Sequence, residues 1–355
     1  MSSSNAPSEF ARPDHPGDLT PFIRHLMRGG TLSLDEASAA LEEMVTGQSH
    51  PAEMGAFLAL LAQRVPTADE IAGAATVMRR HVDALKHDIA PERLLDTAGT
   101  GGAPKTFNVS TGAAIVAAGA GVPVAKGGNR SRTGRGSAEV LAALGVNVDA
   151  GREVQRQCLT TAGVCFCFAV HHHPAARHAM PVRKALGFPT IFNVLGPLCN
   201  PAGARRHLVG VYDRALVLPV ANALRTLGAV RALVVHSEDG LDEVSIGAPT
   251  IVADVSAAGV GENTLTPEEI GLERGDPLHD VPSDCRAAAE LLTRLLGGRM
   301  GGPHGQMLLA SSAAALVAGG AADDLRAGVD LARKTIESGA AMRALDRLRA
   351  TSSGE

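Results

Sequence analysis

The chain has no tryptophan, one tyrosine (Tyr212) and an aromatic content of 3% over 355 residues. Single-stranded nucleic acid is gripped largely by aromatic rings on which bases stack, so that role has little to build on. Excess positive charge is missing too. Lys and Arg number 33 against 37 Asp and Glu, a net charge of −4, whereas a general nucleic-acid binder is usually basic. No long apolar run is present: GAAIVAAGAGVPVA, which ends at Lys126, is short and interrupted by Gly and Pro, below the roughly 20 residues a membrane helix needs. The five cysteines (Cys158, Cys165, Cys167, Cys199, Cys285) are an odd number with no secretory signal, which points to a reducing cytoplasm rather than a disulfide framework. Cys165 and Cys167 alternate in GVCFCFAV, so both face one side of a buried strand, where packing is favoured over a metal pair.

With 45% hydrophobic and 20% charged residues, the chain is ordinary for a soluble enzyme and large enough for two domains. Residues 1–17 carry little apolar pattern and are expected to form a disordered arm. From 18 to 86 the pattern is helical. Ser33 with Glu36, and Thr67 with Glu70, are capping boxes that open runs of three-and-four apolar spacing. After Pro91 short apolar runs (LLDTAG, VPVAK, VCFCFAV, LVGVYD, RALVVHS) alternate with alanine-rich helical segments, the signature of βα units and a mostly parallel sheet. DEVSIGAPTIVADV reads as an antiparallel pair or an edge, 286–297 and 303–349 as helix, and 351–355 as a frayed end. The predicted architecture is a small helical N-terminal domain, 18–86, joined by part of 172–200, beside a larger α/β domain over 87–350.

Two loops stand out. GTGG (Gly99–Gly102) follows a strand and leads through NVST into a helix. Glycines let backbone N–H groups approach an anion, and a helix start adds free donors and a positive dipole end. A plain strand-to-helix turn would look the same, and the pattern is neither a Walker loop nor a dinucleotide fingerprint. The second loop holds Lys126, Asn129, Arg130, Arg132 and Arg135 among glycines. Loops leaving the same end of an α/β sheet converge on one crevice, so the pair suits a ligand with several phosphates. Asp239, Asp242 and Glu243 bunch in a Gly-containing turn, HSEDGLDEVSIG, where hard oxygens could hold Mg²⁺ beside a polyphosphate. An acidic surface turn reads identically. His171 to His173 precede Pro174 at a helix entrance, and a zinc site there is disfavoured.

Four stretches in order, GTGG…KTFNVST, KGGNRS…GSAEVLAALG, HHPAARHAMPVRKALGFPTIFNVLGPLCNPA and DGLDEVS, resemble the anthranilate phosphoribosyltransferase family over about residues 19–350. The resemblance implies the phosphoribosyltransferase fold of the nucleoside phosphorylase type, commonly a homodimer. It implies transfer of the 5-phosphoribosyl group from 5-phosphoribosyl-1-diphosphate to the amine of anthranilate, with Mg²⁺, in tryptophan biosynthesis. Carried over by position, Gly99, Gly102, Ala103, Thr106, Asn108, Val109, Ser110 and Thr111 of the first loop would bind the donor. So would Lys126, Gly127, Gly128, Asn129, Arg130, Ser131 and Ser137 of the second. Ser110, Asp242 and Glu243 would serve the metal, and Gly99, Asn129 and Arg183 the acceptor. No residue is implied as a general acid or base.

Two positions depart from the family pattern: Ala103 stands where Asp is usual, and Gly127 where His is usual. Both fall in the pocket. A different aromatic acceptor, a pyrimidine nucleoside phosphorylase, and a non-catalytic nucleic-acid-binding relative therefore stay open at this point.

Overall fold

The computed structural model describes residues 15–131 and 134–354. Four helices come first: α1 (Thr20–Met27), α2 (Leu34–Val45), α3 (Pro51–Ala62) and α4 (Ala68–Arg80). Both sequence-read capping boxes are present, on Ser33 and Thr67, each stabilising its helix start by about 1 kcal/mol. Glu70 does more than cap. It is fully buried, takes the Leu32 N–H at 2.9 Å and pairs with Arg64 at 2.5 Å, so it staples the turn before α2 to α4. Gly73 lets these two helices touch, since a Cβ there would lie 2.3 Å from the Leu34 carbonyl oxygen.

The chain then alternates through β1 (Leu95–Gly99), α5 (Val109–Gly119), β2 (Val124–Gly128), α6 (Ser137–Ala143), α7 (Arg152–Thr161) and β3 (Val164–Phe168). It returns toward the first helices with α8 (Ala169–His172), α9 (Met180–Leu186) and α10 (Ile191–Leu198). It re-enters the sheet as β4 (Arg206–Gly210), α11 (Val217–Thr226), β5 (Arg231–Ser237), β6 (Thr250–Ser256) and β7 (Gly259–Leu265). Helices α12 (Cys285–Leu296), α13 (Gly302–Gly319), α14 (Leu325–Glu337) and α15 (Ala340–Ser353) complete it. Sheet order is β3-β2-β1-β4-β5-β6-β7; the first five strands are parallel, and β6 and β7 are antiparallel.

Period-two alternation divides the sheet between two cores. Leu208, Leu233, Val235 and Val252 face α5 and α12–α15, whereas Val209, Ala232, Val234, Ile251 and Ala253 face the side occupied by α1–α4, α10 and α11. Helices α5 and α13 are apolar nearly all round and are correspondingly buried. Among the described residues no helix is long and apolar enough to cross a membrane.

Three expectations change, and one strand is new. Of the expected arm, residues 1–14 lie outside the described residues, and Gly17 is fixed, its N–H donating to Glu43 at 2.6 Å. The expected frayed end does not begin at 351. Helix α15 runs to Ser353, and buried Ser352 accepts the Asn147 N–H at 3.0 Å. Only the second half of DEVSIGAPTIVADV forms a strand; Leu241, Val244, Ser245 and Ile246 are a buried turn. Finally, β7 was not evident in the sequence because this edge strand exposes most of its length and carries no apolar alternation.

Candidate active site

Strand β1 connects outward to β2 on one side, while β4 on its other side connects outward to β5. The strand order therefore reverses between β1 and β4, and a crevice opens at their carboxyl ends, Gly99 and Gly210. The acidic turn after β5 fills the floor of that crevice. A Cβ at Gly210 would lie 1.8 Å from the Asp242 carbonyl oxygen, and one at Gly99 would lie 2.9 Å from Asp242 Oδ2. Gly210 is thus required by close approach to backbone, whereas a Cβ at Gly99 would have to displace the Asp242 carboxylate.

The first loop bends through left-handed backbone at Gly101, Gly102 and, unusually for a residue with a side chain, Asn108 at φ 63°. Asn108 Nδ2 donates to the Arg135 carbonyl at 3.1 Å, tying the first loop to the second. Val109 opens α5, so Ser110 and Thr111 sit in its first turn. Val109 and Thr111 themselves are buried. Thr106, also buried, donates its hydroxyl to both Glu243 oxygens, at 3.1 and 3.0 Å.

Lys126, 3% exposed, points its ammonium at the Thr97 carbonyl and lies 3.4 Å from Ser110 Oγ. Burial pushes this ammonium down to about 8, against the pull of the Asp96 and Glu243 carboxylates. Burial likewise raises Asp242, and raises Glu243 to about 8 with the neighbouring Asp242 charge adding to the effect; the Lys105 charge opposes both. Two adjacent carboxylates held against repulsion are a place where a dication is favoured.

In the second loop Gly128 is packed so closely that a Cβ would lie 2.1 Å from Ser137 Oγ. Ser131 accepts the Arg135 N–H at 3.0 Å, and its own N–H reaches Glu139 at 3.3 Å. Asn129 and Arg130 are exposed, with the Arg130 guanidinium 5.5 Å over the Phe168 ring. Arg132 lies outside the described residues. Arg183, on α9, rests 5.0 Å over the Phe192 ring of α10, and its guanidinium is held below its ordinary range by burial. Among the described residues it pairs with no carboxylate. Asn193 Nδ2 donates to the Thr100 carbonyl at 3.4 Å, which brings the start of α10 against the first loop. No hydrogen bond links Arg183 to Asn129 among the described residues.

Family models described as "Glycosyl transferase family, helical bundle domain" and "Glycosyl transferase family, a/b domain" match residues 20–82 and 91–342. The anthranilate phosphoribosyltransferase of Anaeromyxobacter dehalogenans is 48% identical over 328 residues, 92% of this chain and 96% of that protein. The chain belongs to the anthranilate phosphoribosyltransferase family. The crystal structure of the Thermus thermophilus anthranilate phosphoribosyltransferase aligns with a TM-score of 0.87 at 39% identity, covering 93% of this chain and 99% of that one. The Saccharomyces cerevisiae enzyme in complex with PRPP and Mg aligns at 0.85 with 27% identity, over 96% and 100%.

Within this family, the two departures have a local setting. Ala103 is buried at 9% exposure, and a Cβ at Gly127 would stand 3.1 Å from Asp96 Oδ2. Two of the three histidines are otherwise engaged: His171 pairs with Asp149 at 2.9 Å, and His172 is held between the Asp83 carbonyl and Gln155 at 2.8 and 3.0 Å. His173 is pushed down to about 4 by burial. Cys165 and Cys167 do share one face, with sulfurs 4.0 Å apart in the core.

Among the described residues no three His, Cys, Asp or Glu converge on one metal position. Mg²⁺ does not require that. It keeps waters and ligand phosphates and uses one or two carboxylates, which is what the half-buried Asp242 and Glu243 offer. The donor set therefore fits a hard dication. Sequence reading gave no role to Asp96, Thr97, Lys105, Glu139 and Asn200, although Lys105, Glu139 and Asn200 lie within the quoted stretches; their partners are set by the fold rather than by local spacing.

Proposed function

We propose that this chain catalyses the family reaction: the 5-phosphoribosyl group passes from 5-phosphoribosyl-1-diphosphate to the amine of anthranilate, giving N-(5-phosphoribosyl)anthranilate and diphosphate in tryptophan biosynthesis. The observation that carries this reading is the glycine-lined crevice at the strand-order reversal, with Asp242 and Glu243 on its floor and Lys126 in its wall.

Cleaving the bond from C1 to diphosphate builds positive charge on the ribose and negative charge on the leaving group. Bound at Asp242, Glu243 and Ser110, Mg²⁺ would neutralise diphosphate charge. The chain's own contribution is fixed donors. The backbone of Gly99, Gly102 and Ala103, of Asn108 to Thr111 at the start of α5, and of Gly127 to Ser131 lines the donor path, with the Thr111, Gly127, Arg130 and Ser131 N–H groups held by Asn108, Asp96, Asn129 and Glu139. The side chains of Thr106, Lys126 and Ser137 add to them. Preorganised donors aimed at developing charge act at full strength in a site that excludes water. An aryl amine is neutral near pH 7 and already has a usable lone pair, so positioning is the main demand and no general base is assigned. Gly99 and Asn129 border the acceptor. Arg183, cationic and without a carboxylate partner among the described residues, clamps the anthranilate carboxylate through a two-pronged hydrogen bond that Lys cannot reproduce.

Residues 18–86 with part of 172–200 form the domain that meets the acceptor, and 87–350 the donor-binding body; the packing of α10 on α4 and α3 supports that division. A homodimer is the proposed assembly, to be read by analytical ultracentrifugation. Single-turnover mixing of the enzyme with anthranilate, Mg²⁺ and donor depletes anthranilate fluorescence. Unchanged fluorescence at high enzyme concentration removes the assignment. Gly127 supports a second reading, a differently substituted aromatic acceptor; diphosphate release across a panel of amino-substituted aromatic acids ranks the two.

A further inference from the structure

Strands β1 and β2 stay side by side but share almost no ladder. Their paired register is Leu95 opposite Val124 alone, whereas β1 with β4 and β2 with β3 each keep five pairs. Neighbouring strands without a ladder leave backbone donors and acceptors open, and buried groups of that kind must find partners. Here side chains supply them. The Gly127 N–H donates to Asp96 Oδ1 at 2.9 Å, and the Ala125 carbonyl accepts from Asn200 Nδ2 at 2.7 Å. The Thr97 carbonyl of β1 accepts from Lys126 Nζ.

Asp96 and Asn200 are also joined to each other, Nδ2 to Oδ2 at 2.8 Å, and are 1% and 7% exposed. Asn200 Oδ1 accepts the Ala202 and Ala204 N–H groups at 3.0 and 3.4 Å. Both amide protons and both lone pairs of Asn200 are thereby used. The pair bonds neither to Asp242 nor to Glu243. It reaches the crevice only through the backbone of β2, whose last residues are Gly127 and Gly128, followed by Asn129.

We propose that Asp96 and Asn200 are positioning residues for phosphoribosyl transfer. They stand in for the absent β1–β2 ladder and hold the exit of β2 at the separation from β1 that lets the two glycine loops close on one donor. Gly127 belongs to the device: without a Cβ it can seat its N–H on Asp96, where a side chain would come within 3.1 Å of Oδ2. The inference rests on the transfer reading for its consequence in catalysis, but not for its structural content.

The experiment therefore carries two readouts. Hydrogen–deuterium exchange of the peptide covering Gly127–Asn129 is measured on the ligand-free full-length protein. Steady-state KM for donor and acceptor and kcat are measured alongside. Asp96→Asn leaves one acceptor where the Gly127 N–H and Asn200 Nδ2 need two, and Asn200→Asp sets a carboxylate against both Asp96 and the Ala125 carbonyl; Asp96→Asn with Asn200→Asp restores the unlike pair and the acceptor for Gly127, but not the bond to Ala125. Each single variant is expected to speed exchange at 127–129 by about tenfold and raise donor KM by a similar factor, the size of a lost hydrogen bond to a charged group. The double variant should recover part of both losses relative to Asn200→Asp alone, as coupled neighbours do, the bond to Ala125 staying lost. A merely structural role lowers Tm and speeds exchange across the sheet, leaves KM of the folded fraction unchanged, and overturns the proposal. So does unaltered exchange at 127–129 in the single variants. If Asn200→Asp does not fold, Asp96→Asn and Gly127→Ala carry the same two readouts. Should wild type show no turnover, the transfer reading fails, while the exchange pattern and its restoration in the double variant still decide the positioning claim.

Discussion

Replacing Glu243 by Gln tests the electrostatics of the crevice floor most sharply. The carboxyl stands at about 8 in the folded protein, raised by burial and by Asp242 from its ordinary 4.5. A rise of about 3.5 units corresponds to at most about 5 kcal/mol, taking about 1.4 kcal/mol per unit. The side chain is partly open to solvent and Lys105 is near, so screening reduces this to about 2 kcal/mol. The unfolded chain loses this proton near its ordinary value and the folded chain near 8, so between those pH values the folded state binds more protons. Stability from this group is complete below about pH 4.5 and lost as pH rises through about 8. Gln keeps an oxygen for the Thr106 hydroxyl and has no proton to lose. Denaturant unfolding of the metal-free proteins from pH 5 to 8.5 should show the variant gaining about 2 kcal/mol on wild type across that window. Added Mg²⁺ at the upper end should stabilise wild type and not the variant. Parallel stability–pH curves for the two proteins would refute the reasoning.

Asp242→Asn is expected to lower Mg²⁺-dependent kcat by about a hundredfold, since a charge aimed at the diphosphate is lost; steady-state assays across Mg²⁺ concentrations check it. Because Leu241 and Val244 beside it are buried, its Tm should be compared too, with a change of only a few degrees. Arg183→Lys should raise acceptor KM by about tenfold and leave donor KM unchanged, because Lys presents a point charge where a planar fork is needed. Gly210→Ala drives a Cβ to 1.8 Å from the Asp242 carbonyl, so it should displace the acidic turn and abolish the Mg²⁺-dependent shift in Tm.

The helical capping boxes, the parallel βα rhythm and the two loops were legible because each is a local pattern: a polar residue three positions from a carboxylate, an apolar run of strand length, glycines before a helix. The acidic turn was legible in composition but not in burial. Whether Asp242 and Glu243 face water depends on Gly99 and Gly210, which are distant in sequence and adjacent only once β1 and β4 pair. The same holds for Asp96 and Asn200. One looks like a polar residue in a strand and the other like part of a Cys-Asn-Pro turn, and their common task arises from the missing ladder between β1 and β2, which no local spacing encodes. Strand β7 stayed hidden for the opposite reason: an exposed edge does not need apolar alternation.

In the proposed mechanism the crevice between β1 and β4 takes a sugar diphosphate together with Mg²⁺ at Asp242 and Glu243. Isothermal titration calorimetry of 5-phosphoribosyl-1-diphosphate into the full-length protein tests this directly. Saturable heat that strengthens with Mg²⁺ is expected in wild type, with the Mg²⁺ dependence lost in Asp242→Asn. No heat from the donor, with or without the cation, would contradict it.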